Sequence, residues 1–434
     1  MILAAAPPSP LGAHQMLVFL VQLAALLGVA FVLGRLATRC RMPAVVGELA
    51  AGVVLGPSLL GPLWPALSGW LFPADPAQLH LLDAVGQLGV LLLVGFTGMH
   101  LDLGLARRRG GAAAWVGAGG LLIPLGLGFA VGFALPAALI GGGADRPVFA
   151  LFLGVAVCVS AIPVIAKVLL EMNLLHRDIG QLVITAAAVD DVVGWSLLAV
   201  VSGMAGAGFT LGHAALSVGA LLVVGVVALV LGRPVVKKAL TFAVRANDPG
   251  VTVAVVVLLV VLSAAGTHAL SLEPVLGAFV CGLLISWSGV PVHQKLRALR
   301  TFVMAVLAPV FFATAGLRMD LTALREPAVL GAAALVLLFA VIGKFAGAYL
   351  GARIGRLGHW EGLALGAGLN ARGVIGVIVA MVGLRLGVLT TEAYTVVVLV
   401  AVVTSLMAPP ALRYAVKRIA VTTEEQERAK ALSV

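Results

Sequence analysis

Apolar runs of about 20 residues recur along almost the whole 434-residue chain, broken only by short charged or Pro/Gly-rich stretches. At about 1.5 Å of rise per residue, such a run crosses the ~30 Å hydrocarbon core of a bilayer as a single helix. A lipid-embedded segment must satisfy its own backbone hydrogen bonds, so the pattern admits a helical bundle and little else. Thirteen helices are expected, over about 16–36, 43–61, 81–103, 111–139, 148–170, 179–203, 211–232, 250–269, 271–289, 297–318, 327–352, 361–384 and 391–414. Only 11% of residues are charged, against roughly 25% in a soluble domain, and mean hydropathy is +1.15. With 6% aromatics and 53 glycines, the composition suits helices packed through small residues rather than an outer-membrane barrel. The fold class is all-α, a polytopic membrane protein.

The amino end, MILAAAPPSPLGAHQ, has no basic n-region and no cleavage signature, so the first run reads as a retained helix. With that end outside, 22 of the 28 Lys and Arg fall on the inner side, and only Arg146, Arg318, Arg325 and Arg385 fall outside. That asymmetry follows the positive-inside rule, and it explains the net charge of +10 without nucleic acid. Cys40, Cys158 and Cys281 lie far apart without metal-ligand spacing and read as small packing residues.

Two adjacent acids, Asp190 and Asp191, sit near the middle of the sixth run. A charge at the bilayer centre costs about 2.5–3.5 kcal/mol or more, so an intramembrane acidic pair points to ion or proton movement. Two deep cations accompany them, Lys344 in the eleventh run and Arg372 in the twelfth, and Asp190, Asp191 and Glu48 are the counter-charges on offer. Consecutive helical residues point about 100° apart, so one lysine does not satisfy both aspartates.

The chain also echoes itself. Pro43-x-x-x-Gly47-x-x-x-x-Gly52 resembles Pro274-x-x-Gly277-x-x-x-x-Gly282, and Gly98-Met-His-Leu-Asp102-Leu resembles Gly316-Leu-Arg-Met-Asp320-Leu. Two matches in one order, separated by an odd number of helices, predict inverted repeats over about 16–203 and 250–414, with 211–232 as the linker helix. The fifth and twelfth runs then correspond, and both carry helix-breaking signals. The fifth holds Ser160-Ala-Ile-Pro163, where proline removes a backbone donor; the twelfth holds Gly366-Ala-Gly368-Leu-Asn370-Ala-Arg372-Gly373. Paired interruptions of this kind mark transporter binding sites. A simple packing kink at Pro163 and a close helix contact at the glycines is the plainer alternative.

These residues together resemble the monovalent cation:proton antiporter superfamily, the branch with bacterial sodium/proton antiporters and Kef-type potassium efflux proteins. The carriers of the resemblance are Val-Asp190-Asp191-Val-Val-Gly194, Ser160-Ala-Ile-Pro163, Lys344, Asn370-Ala-Arg372-Gly373, Met42-Pro-Ala-Val-Val-Gly-Glu48 and Leu276-Gly-Ala-Phe-Val-Cys-Gly, over about 16–418. The resemblance implies a transmembrane exchanger domain (1–420), crossing broken helices, a homodimer and a plasma-membrane location with the carboxyl end cytoplasmic. It further implies that Asp191 binds cation or proton, that Asp190 pairs with Lys344 as in electrogenic members, and that Arg372 steadies the core beside Asn370 and Pro163.

Desolvation penalises a charged carboxylate, so Asp191 can hold a proton at one time and Na⁺ or K⁺ at another, with Ser160, backbone carbonyls and water as further oxygen ligands. If Lys344 also releases its proton, two protons exchange for one cation; if it does not, the exchange is one for one. No cofactor is expected, and the partners are the cation, the proton and membrane lipid. An exporter of a cation-complexing small molecule and a K⁺ channel-like transporter are the competing functions, neither of them enzymatic. After Arg372-Gly373 this chain has Val374-Ile-Gly376, where many relatives carry an acid, and the tail 421–434 is too short for a nucleotide-binding domain. The tail reads as a frayed helix or disorder. His14, His80, His176, His213, His268, His293 and His359 fall at helix ends or loops and read as solvated; His100, beside Asp102, is a candidate cytosolic pH sensor. Pro234–Pro249, with Lys237, Lys238 and Arg245, reads as an amphipathic inner linker able to touch anionic lipid.

Overall fold

The computed structural model describes residues 12–40, 42–73, 75–99, 110–172, 174, 177–205, 211–246, 248–292, 294–422 and 425. His100, Asp102, Arg107, Arg108, Arg109, His176, His293 and most of the tail lie outside the described residues. Every expected apolar run holds helix. In chain order the main helices are α1 (Ala13–Arg39), α2 (Ala44–Leu55), α3 (Pro76–Met99), α4 (Gly110–Ala134), α5 (Arg146–Cys158), α6 (Ile162–Glu171) and α7 (Asp178–Met204), with two short helices, Leu60–Leu63 and Pro65–Leu71, between α2 and α3. They continue as α8 (Leu211–Val227), α9 (Arg233–Arg245), α10 (Pro249–Ala269), α11 (Pro274–Trp287), α12 (Arg297–Phe302) and α13 (Ala308–Leu317). The last four are α14 (Pro327–Ile354), α15 (His359–Leu369), α16 (Gly373–Arg385) and α17 (Thr391–Val416).

Among the described residues, ten helical stretches are long and apolar enough to cross a membrane, three of them (Ala44–Leu63, Ala215–Arg245 and Arg297–Leu317) running through more than one of these elements, and α15 with α16 makes one more span bent by 47°. The helices α5 and α11 are apolar but shorter, at 13 and 14 residues. The thirteen expected helices therefore differ in kind: some cross whole, and others are cut short or broken. One boundary moves. The linker was expected to stop near 232, yet the backbone passes through a π stretch, Ala228–Gly232, straight into α9 as far as Arg245.

Helix starts follow ordinary capping chemistry. Asp145 accepts from the Val148 amide at 3.0 Å before α5, and Asp248 accepts from the Gly250 amide at 2.7 Å before α10. Pro249, Pro274 and Pro327 occupy first helical positions, where no backbone donor is lost.

The helices form two groups. One packs α1, α2, α3, α10, α11 and α13 together; the other packs α4 to α7 with α14 to α17, and α8 and α9 run between them. Without a hydrophobic drive between helices in lipid, close backbone approach supplies the attraction, and small residues permit it. The backbone of α2 meets α13 at Gly52 and Gly316, while α3 meets α11 at Gly98 and Gly282. A Cβ on Gly52 would strike the Ala313 carbonyl and one on Gly282 the Gly95 carbonyl. Gly119 of α4 and Gly347 of α14 interlock in the same manner.

Candidate functional site

Both interruptions sit deep in the second group, and they touch. The α5 helix ends at Cys158; Val159, Ser160 and Ala161 are non-helical; α6 then begins at Ile162. Pro163 falls in the first turn of α6, where its missing N–H breaks no helical bond. In the partner segment α15 ends at Leu369 and α16 begins at Gly373, whose φ of +38° favours a residue without Cβ. The Ala161 amide donates to the Ala371 carbonyl at 2.8 Å, so each break supplies a backbone bond the other lacks. The Gly373 amide is satisfied by the Ser405 hydroxyl at 2.8 Å.

A broken helix exposes carbonyls at its carboxyl end, and here two cations take them. Arg372 donates through Nε and Nη2 to the Val157 carbonyl, at 2.9 and 2.6 Å, and through Nη2 to the Ala340 carbonyl at 2.8 Å. Its Nη1 reaches Asn370 Oδ1 at 3.1 Å. Lys344 donates to the Cys158 carbonyl at 2.6 Å, to the Gly120 carbonyl at 2.8 Å and to Asp190 Oδ2 at 2.6 Å. Three protons meet three acceptors, so the ammonium is saturated. Positive charge at the negative end of the α5 dipole is favourable placement for both side chains.

The acids divide. Asp190 and Asp191 are both wholly buried on α7, yet only Asp190 is held, by Lys344 and by the Ser160 hydroxyl at 2.7 Å. Neither oxygen of Asp191 meets a hydrogen-bond donor of normal geometry, and Asp190 Oδ1 is likewise unbonded. The Ile162 amide at the start of α6 faces Asp191 as a weak backbone hydrogen-bond donor, outside ordinary hydrogen-bond geometry. Buried polar atoms are nearly always bonded, so a carboxylate this poorly matched beside a saturated ion pair has the chemical capacity to take up a proton or a cation. Gly194 makes the approach possible: a Cβ there would lie 2.6 Å from Val159 Cγ2, inside the break.

Asp190, Lys344, Ser160, Asn370 and Arg372 thus converge on the crossing with Asp191 beside them, while Pro163 is placed only by its backbone. Ser160 stands against the first acid of the pair. Its oxygen lies 2.7 Å from Asp190 and 2.8 Å from the Leu369 carbonyl, so its single proton serves one or the other rather than Asp191. Glu48 stays apart, half-buried on α2 in the other helix group. Sequence reasoning missed the Gly120 and Cys158 carbonyls and the Ser405 hydroxyl; backbone oxygens carry no residue signature, and Ser405 stands 32 positions from the amide it caps.

The family profile described as "Sodium/hydrogen exchanger, transmembrane" matches residues 24–418. The chain is 31% identical over 401 residues to the Na⁺/H⁺ antiporter NhaS4 of Synechocystis sp., covering 92% of this chain and 97% of that protein. It is 32% identical to cation/H⁺ antiporter 20 of Arabidopsis thaliana and 27% identical to K⁺/H⁺ antiporter 1 of Saccharomyces cerevisiae. Those alignments cover 90% and 85% of this chain but 47% and 43% of the relatives, so the chain spans about half their length. The solved structure of the sodium proton antiporter MjNhaP1 from Methanocaldococcus jannaschii shares the fold, with a TM-score of 0.68 at 14% identity, covering 93% of this chain and 99% of that one.

Proposed function

Because the chain belongs to the sodium/hydrogen exchanger family, we propose that it is a secondary antiporter exchanging Na⁺ or K⁺ for protons at Asp191. The observation that carries this reading is the division of the acid pair: Asp190 is committed to Lys344, whereas Asp191 is equally buried and meets no side-chain donor, only the weak approach of the Ile162 amide. A cation arriving at Asp191 gains that carboxylate and, within the same crossing, oxygens of Asp190 and the broken backbone. A proton arriving there neutralises the same group, so the two compete and neither crosses without displacing the other.

Alternating access between two inverted repeats is supported by the packing. If α2 corresponds to α11 and α3 to α13, then the Gly52 contact with α13 is the counterpart of the Gly282 contact with α3. The close approach of Gly47 to Leu33 of α1 has its counterpart in that of Gly277 to Ser263 of α10. A pseudo-two-fold axis of this kind gives the two helix groups equivalent inward and outward arrangements. Release of the Lys344 proton as Asp190 turns to the incoming cation adds a second proton to the one leaving Asp191, and two protons exchanged for one monovalent cation make the transport electrogenic. The placement proposed is a cell membrane with the amino end outside, and the assembly a homodimer, as the likeness to such antiporters implies.

The test is cation-dependent proton flux in proteoliposomes under an imposed pH gradient. The wild-type protein saturates with Na⁺ or K⁺, and Asp191→Asn abolishes the response with Asp190 and Lys344 intact. Flux persisting in Asp191→Asn sinks this reading.

A further inference from the structure

Side chains tie the two helix groups together on one face of the molecule, the face that carries the turn from α16 to α17. Arg385, the last residue of α16, donates through Nη2 to Glu273 Oε2 at 2.5 Å, and Glu273 is the residue before α11 in the other group. Tyr394 of α17 is wholly buried and donates its hydroxyl to the Ala315 carbonyl of α13 at 2.6 Å. Beside it the Thr395 hydroxyl accepts from the Asp320 amide, in the turn after α13, at 3.1 Å.

These bonds stand on the seam that leads from Asp191. Along α7, Trp195 lies one turn beyond Asp191, and its ring faces Phe279 of α11 with centroids 6.2 Å apart. Phe279 is six residues, about 9 Å of helix, from Glu273. The α7 helix ends beside the same turn, since a Cβ on Gly203 would lie 3.4 Å from the Ser271 carbonyl. The seam between α7 and α11 therefore runs from Asp191 past the two rings to Glu273.

The Tyr394 and Thr395 bonds end on backbone atoms, which any residue at 315 or 320 offers. The Glu273–Arg385 pair instead joins opposite charges in unequal surroundings, the acid side chain 6% exposed and the arginine 39%. An acid this dry is stabilised by the cation that replaces its water, while the half-exposed guanidinium is free to turn to solvent when the groups part. We infer that Glu273 and Arg385 form a latch between the helix groups, closed in this structure, which breaks each time the seam opens Asp191 to this face. The inference rests on the exchange reading above and names the contact that shuts one side of the site.

Double electron–electron resonance on the full chain in lipid nanodiscs reads the separation of the groups. Nitroxides at Leu63→Cys, in the short helix after α2, and Ala138→Cys, between α4 and α5, occupy exposed positions. A Cys40→Ser background leaves only the buried thiols of Cys158 and Cys281. Glu273→Gln keeps the shape of the side chain and is expected to raise the population at the longer distance about fivefold, as loss of a partly exposed ion pair does. Arg385→Gln, at the exposed partner, gives the same rise, and the double variant adds nothing further, because either change alone breaks the pair. A distance distribution unchanged in Arg385→Gln, or effects of the two changes that add, overturns the latch. The labels register movement whether or not a cation crosses, so that result removes the latch alone, whereas flux persisting in Asp191→Asn removes the exchange site alone.

Discussion

Lys344 Nζ lies 2.6 Å from Asp190 Oδ2, and both side chains are wholly buried. Two opposite charges in so dry a place stabilise each other only as a pair, because removing one strands the other without water. Lys344→Gln and Asp190→Asn are each expected to lower stability in detergent by about 3–5 kcal/mol. The double variant Asp190→Asn/Lys344→Gln removes both charges and recovers most of that loss. Thermal unfolding of the four proteins completes the cycle; a double variant as unstable as the sum of the singles would show that the pair is not coupled. In proteoliposomes, the double variant is further expected to lose its response to an imposed membrane potential.

With Asp191 as the proposed exchange site, its carboxylate sets the expected pH response. Lowering pH fills its carboxylate with protons, so the half-saturating cation concentration rises, approaching about tenfold per pH unit when one proton competes with one cation. Saturating cation restores the rate. Initial rates measured over a range of cation concentrations on both sides of neutrality check this, and a falling maximal rate at constant half-saturation would place the competing proton elsewhere.

The tail contradicts the expectation of a frayed end at one position. Glu425 is buried against the start of α7, where it accepts from Arg177 Nε at 2.9 Å and from the Asp178 amide at 2.6 Å. Arg177 Nη2 holds the chain on its other side through the Ile419 and Ala420 carbonyls, at 3.1 and 3.2 Å. A carboxylate at a helix amino terminus is favoured by the dipole as well as by the ion pair. Glu425→Gln keeps an acceptor and removes the charge, so the tail is expected to open about tenfold more often, near 1.4 kcal/mol. Limited proteolysis reads this directly, and cleavage at the wild-type rate would show that the charge contributes nothing.

How much of this was legible depends on whether the signal lay in side chains or in backbone. Asp190, Asp191, Lys344 and Arg372 stand out because charge is costly in an apolar run, and the breaks around Ser160 and Asn370 stand out because Pro and Gly mark them. The partners of those charges do not. Arg372 binds Val157 and Ala340, and Lys344 binds Gly120 and Cys158, all through carbonyls that any residue offers. Nor does sequence spacing disclose that Glu425 reaches Arg177, 248 positions away, or that a π stretch joins α8 to α9.

The glycine contacts give the proposed repeat its own stability test. Gly52 and Gly282 occupy matching places in the two echoed motifs, and each abuts a carbonyl of the opposite repeat, from Ala313 and Gly95 respectively. Adding a methyl forces apart α2 and α13 at the first and α11 and α3 at the second, so Gly52→Ala and Gly282→Ala are expected to destabilise by similar amounts, about 1–3 kcal/mol each, as overpacked sites do. Gly28 on α1 is the control, since its Cβ would meet nothing within 4 Å. Alanine there removes only the backbone freedom of glycine in a helix and is expected to stabilise by about 0.5–1 kcal/mol. Unfolding temperatures measured in one detergent compare the three. A large loss at Gly52 with none at Gly282 would break the equivalence on which the two-fold relation rests, whereas matched losses tie the echoed sequence to a matched pair of helix crossings.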